Sequence, residues 1–294
     1  MNRKLVLACL LVFAMVVPFS ASCSVAVHIN DSGNSDSKTK EMVSKKVKIA
    51  DFNAVKASQG ISVVLIQKEN THEADISVDQ ELEPYIKVEV KDGTLKCYFE
   101  SNKSNKSNNV IHNNGVKAIV RVSSPTLTKV DLSSAATLAL SDNFNVDGRL
   151  KLDLSSASGF KAKNLTCSSL DVEASSSSYI RISELNATVD IDASSASSVN
   201  IDNLTGSLDV SASSSASVKV KGMRGKEIEA DASSTATITI ENLKCDEIDA
   251  DASSMSSISL SGVCSRLKKD SSSGSRIKTK NLIVKNRYNK VETV

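Results

Sequence analysis

The 294-residue sequence predicts an all-β protein: a parallel, β-helix-like β-solenoid of about eight coils of ~20 residues, led by a less regular β-rich head. Three observations carry this prediction. First, the pattern acidic-x-Ser-Ser-x-x-x-apolar begins at Asp131, Asp153, Glu173, Asp192, Ser211, Asp231, Asp251 and Asp270, at spacings of 22, 20, 19, 19, 20, 20 and 19. Second, the odd offsets from each start are apolar or small and the even offsets mostly polar, which is the two-residue period of a strand. Third, 36 of the 51 serines fall between Thr128 and Val284 in fixed phase with aliphatic columns. Together with a 40% hydrophobic content, that phasing separates them from a disordered serine-rich stalk.

The elements follow in chain order. Residues 1–22 read as a signal peptide: Arg3 and Lys4 precede the apolar run Leu5–Val17, and Ser20-Ala21-Ser22 supplies small residues before Cys23. Thirteen apolar residues are too few for a bilayer core of ~30 Å, which takes ~20 in a helix. The small run ending in Cys23 resembles a bacterial lipobox, so Cys23 is the expected lipidation site and membrane anchor. Residues 23–46 read as a flexible tether, because Asn30–Lys38 is polar and without period. No acidic cluster follows Cys23, which leaves cell-surface and periplasmic display at the outer membrane both open.

Residues 47–127 read as the head. Asp51–Gln67 gives two short strands around Gly60, Asp75–Val78 and Tyr85–Val90 follow, and Asp92-Gly93 marks a hairpin. Residues 128–284 carry the coils. One strand cannot span offsets −3 to +9, which would extend ~43 Å, so a corner is expected where side chains are smallest, at the Ser-Ser pair and the Ala or Ser five after the start. A second, looser corner falls near offsets +10 to +15. Serine hydroxyls at a narrow corner can bond backbone groups freed by the bend. Residues 285–294 read as a polar tail.

Composition removes several functions. Lys and Arg number 36 against 34 Asp and Glu, without basic blocks, so no nucleic-acid partner is expected. Aromatic residues make up 3%, which weakens an aromatic sugar cleft. No catalytic residues are expected: His28, His72 and His112 are far apart, and a Ser-Ser pair repeated in every coil without a partner histidine is structural. No Cys-x-x-Cys occurs among the cysteines, so neither zinc nor another cofactor is expected.

Two constellations remain as candidate sites. Offsets −2 and 0 place Asp171, Glu173, Asp190, Asp192, Asp209, Glu229, Asp231, Asp249 and Asp251 on one outward stripe. It reads either as a cation-binding (Ca²⁺) site or as a solvated face screened by Lys161, Arg181 and Lys219 at offset +8. Cys245 and Cys264 fall on adjacent coils, either as a disulfide or as free stacked thiols.

The phrase from Asp51 to Gln67, then Leu82–Val90 with Asp92-Gly93-Thr94-Leu95, then the Asp-x-Ser-Ser-Ala-Ser coils, resembles in that order the "putative auto-transporter adhesin, head GIN domain" family (DUF2807) of Bacteroidetes. The resemblance runs from about Val47 to Leu260. It implies a β-solenoid in an exported, often lipid-anchored protein. The expected function is that of a non-enzymatic cell-envelope lipoprotein, an adhesin-like or scaffold module that meets a surface, protein or glycan ligand. The alternative is a carbohydrate-active, lyase-like or glycan-binding protein on the same scaffold, Ca²⁺-dependent, which an acidic groove beside an outward aromatic such as Tyr179 would favour.

Overall fold

In a computed structural model of the chain, residues 41–100 and 118–285 are described, together with the backbone of 291–293. The expected signal peptide, Cys23 and the Ser101–Asn109 loop lie outside the described residues. The described strands join one continuous sheet, a parallel β-solenoid of about eight turns. It contains no α-helix among the described residues, and one 3₁₀ turn at Gln80–Leu82.

The strand-to-strand corner is the unit from which the rest follows. In all eight coils the residues three and four past the start take positive φ, from Ser134 (50°) and Ala135 (62°) to Ser273 (52°) and Gly274 (76°). A backbone bond closes each turn, such as Ser158 N–H to the Ser155 carbonyl at 3.2 Å and Ala216 N–H to Ser213 at 2.9 Å. Two positive φ values inside an i→i+3 bond are the mark of a type I′ turn. Except for Gly274 these positions carry side chains, including the β-branched Thr235 at 67°. The left-handed conformation costs an L-residue roughly 1–2 kcal/mol. The turns are held in it by each other: Ala135 N–H donates to Ser156 O at 2.9 Å, Ala157 to Ser176 at 2.9 Å, and so on to Met255 and Ser273 at 3.1 Å.

This geometry divides the work among the small residues expected at the corner. The second serine of the Ser-Ser pair lies at the outer rim of the turn and is exposed (Ser156, Ser176, Ser195), and the first is half-buried. The serine that meets the narrow interior stands at offset +5. Ser158 donates to the Leu132 carbonyl (3.0 Å), Ser256 to Ala232 (2.8 Å) and Ser275 to Ala252 (2.8 Å), each in the preceding coil. Ser178 and Ser197 are equally buried, and their hydroxyls have no partner.

Between turns the aliphatic columns stack in register. Leu152, Val172, Ile191 and Val210 are neighbours on successive coils, and so are Phe160, Ile180, Val199, Val218 and Ile238. All are essentially inaccessible to water. The looser corner interrupts the ladder with a register shift between Thr166 and Ser169. There Gly206 (φ 144°) passes so close to the preceding coil that a Cβ would stand 1.8 Å from the Ala187 carbonyl oxygen.

Three expected boundaries move. Strand Met42–Lys48 pairs antiparallel with Glu73–Asp79, so ordered structure begins inside the stretch read as a tether. Val43 and Val47 alternate with polar neighbours there, a short period-two signal that the flanking charges hid. The head–coil division at 127/128 falls inside the stack. Ala54–Ala57 and Ile61–Gln67 pair in parallel with the first coil (Ala57↔Leu132, Val63↔Leu138), joined by the same positive-φ turn at Gln59 (61°) and Gly60 (75°). Gly60 N–H donates to Ser134 O at 2.9 Å, extending the turn ladder into the head. Finally, the tail read as polar supplies strand Val291–Thr293, antiparallel to Ile283–Lys285.

An acid- and serine-lined groove as candidate functional site

The parallel register turns the acidic stripe into two aligned columns. Asp171, Asp190, Asp209, Glu229 and Asp249 are successive register partners, and Glu173, Asp192, Ser211, Asp231 and Asp251 run beside them. The second column, from Asp153 to Asp270, and the first serine of each of the last six turns line a groove of about 640 Å³ whose other walls are the small residues Ala174 to Ala252. All nine candidate acids therefore belong to one face, and those of the second column open into the groove.

The stripe is terminated by cations. Arg149 bonds Asp171 and Lys151 bonds Glu173 (2.6 Å) at one end; Lys268 bonds Asp249 (2.6 Å) and Arg266 bonds Glu247 (2.5 Å) at the other. Those carboxylates hold the Lys151 and Lys268 ammonium pKa values above their ordinary value. The expected screen of Lys161, Arg181 and Lys219 is elsewhere. Lys161 and Arg181 lie 5.8 and 5.5 Å from the Tyr179 ring, and Lys219 pairs with Glu241 at 2.9 Å. The capping cations were readable as basic residues breaking the −4 and −2 columns in the second and last coils.

Among the described residues, Asp190, Asp209, Glu229 and Asp231 have no ion pair. Desolvation raises the pKa of Asp190, Asp209 and Asp231, with the neighbouring carboxylates adding to it. For Glu229 the charge of Asp209 is the largest cause of an upward shift. The acidic face beside and within the groove thus stores repulsion, which a cationic ligand would relieve. Its carboxylates stand in rows without converging: among the described residues, no group of three or more His, Cys, Asp or Glu side chains is placed to hold a metal ion.

Other sequence candidates sit apart. His72 is exposed in the head, 3.7 Å from Asp51, and does not line the groove. Tyr179 is on the face that follows the turn, its ring lying over Gly159. Cys245 and Cys264 are register partners, and both are buried free thiols, as are Cys97 and Cys167.

Fold and groove together define a parallel β-solenoid with a repeating polar face. The chain belongs to the family described as "Putative auto-transporter adhesin, head GIN domain", whose model matches residues 51–221 and 207–292. The fold is similar to that of a "putative adhesin" from Parabacteroides merdae: 20% identity, 81% of this chain and 95% of that one covered, TM-score 0.65. A "putative adhesin" from Bacteroides fragilis is 18% identical over 81% and 96% of the two chains, with a TM-score of 0.53. A "putative lipid binding protein" from Parabacteroides distasonis is 16% identical over 81% and 96%, with a TM-score of 0.54. Comparison with curated proteins returns no match.

Proposed function

We propose that this protein is a non-enzymatic, adhesin-like binding module of the cell envelope, exported and tethered to the outer membrane by a lipid on Cys23. The observation that carries the reading is the groove: one set of groups, a carboxylate and a serine hydroxyl, recurs on successive coils along its length. Such a face suits a ligand that itself repeats, binding through many weak contacts in place of one deep pocket. Family membership supports the non-enzymatic part. The carbohydrate-active alternative is not favoured, because Tyr179 stands beside two cations away from the acidic groove.

Protease treatment of intact cells tests the display. Loss of the chain from shaved cells is the expected result; full protection until the outer membrane is opened would refute an adhesin and leave a periplasmic module. Incorporation of labelled palmitate, abolished by Cys23→Ser, is the expected sign of the anchor.

A further inference from the structure

Cys245 and Cys264 are register partners on strands Thr237–Ala252 and Ser257–Ser271. Side chains at partnered positions of parallel strands point the same way, so the bases of the two side chains are set about one strand spacing apart, ~4.8 Å, and each sulfur moves about its base by rotation. A disulfide needs the two sulfurs at ~2.05 Å. A linear thiolate–metal–thiolate unit instead needs them two metal–sulfur bonds apart, ~4.6 Å for bonds of ~2.3 Å. With their bases one strand spacing apart, the two thiols can take the second separation without any movement of the ladder.

Their surroundings fit the same chemistry. Both cysteines line an open depression of about 430 Å³ together with Arg224, Lys244, Lys285 and one carboxylate, Asp246. None of the three cations has an ion pair among the described residues. Two thiolates around a monovalent ion leave one net negative charge, which these cations can balance. Two thiolates around a divalent ion would be neutral, and tetrahedral zinc would require further ligands, whereas among the described residues no third His, Cys, Asp or Glu is placed to complete such a set.

We propose that Cys245 and Cys264 form a two-coordinate site for a soft monovalent metal ion, Cu(I). Thiolates select soft ions over the hard cations that suit carboxylates. Binding breaks two S–H bonds and forms two S–Cu bonds; two protons leave to solvent and no electron is transferred.

The test uses the full chain with Cys9 and Cys23 replaced by serine, reduced, and titrated with Cu(I) against a chromophoric Cu(I) chelator. One Cu(I) per chain is expected, falling to none in Cys245→Ser and in Cys264→Ser, and unchanged in Cys97→Ser and Cys167→Ser. Maleimide labelling of the unsubstituted pair, read by peptide mapping, gives a second measure that needs no cysteine variant in the site: added Cu(I) should protect both thiols. Binding that survives Cys245→Ser, or no protection of the pair by Cu(I), would overturn the proposal. So would an air-purified protein lighter by two hydrogens with Cys245 and Cys264 linked, which would assign the pair to a disulfide.

Discussion

At the scale of the residue, the serine excess divides into positions with opposite energetics. Ser158 and Ser256 satisfy a carbonyl of the preceding coil, whereas Ser178 and Ser197 occupy the same column with unpartnered hydroxyls. Removing a made hydrogen bond costs about 0.5–1.5 kcal/mol, while removing a buried unsatisfied hydroxyl relieves its desolvation. Ser158→Ala is therefore expected to lower stability by about 1 kcal/mol, and Ser178→Ala to leave it unchanged or raise it. Urea unfolding of the two variants side by side checks this; equal losses would show that the column is indifferent to its partners. The sequence could show which column these serines occupy, but not which find a carbonyl. Likewise, the positive φ of Ser134-Ala135 and Ser234-Thr235 was hidden, because local sequence signals for type I′ turns rest on Gly and Asn. Here the conformation is imposed by the neighbouring turns.

At the scale of the element, the coils were legible because inward and outward offsets repeat eight times, and the acid columns were legible for the same reason. What escaped were departures from the repeat. The coil in the head has Lys56 at the start position and a single serine before Gln59-Gly60, so no pattern search aligns it with Asp131; its pairing with Leu132 does. The acid columns carry a pH prediction. Where a carboxyl's folded pKa is raised, the folded chain binds more protons between the unfolded and folded values, so stability falls as pH rises through that window. Asp190, Asp209, Glu229 and Asp231 all shift upward. Thermal unfolding should therefore occur at higher temperature at about pH 5 than at pH 7. Asp209→Asn should stabilise the protein at pH 7 and flatten that dependence. A midpoint that falls on acidification to pH 5 would contradict the repulsion assigned to this face.

At the scale of the whole stack, the last coil differs from those before it. The inward column that reads Leu152, Val172, Ile191, Val210, Ala230 and Ala250 ends in Lys269. Lys269 donates to Thr279 at 3.3 Å, itself the polar end of the column that contains Ile240 and Leu260. Leu267 and Ile277 beside them are only partly buried. An inward lysine on an edge that no other described strand pairs with opposes pairing with another chain. Lys269→Leu is expected to produce concentration-dependent association in sedimentation velocity, with the parent chain as reference; an unchanged sedimentation profile would remove lysine as the guard of that end.

The ladder that joins turn to turn also sets how the solenoid answers force. Its hydrogen bonds, like those of the strands, run from coil to coil. A pull on the last coil alone meets one rung at a time and peels the stack, as a zipper opens. A ligand lying along the groove grips several coils together and divides the same load among their rungs. Resistance to peeling is therefore set at the end coil, and contact spread along the groove would spare it.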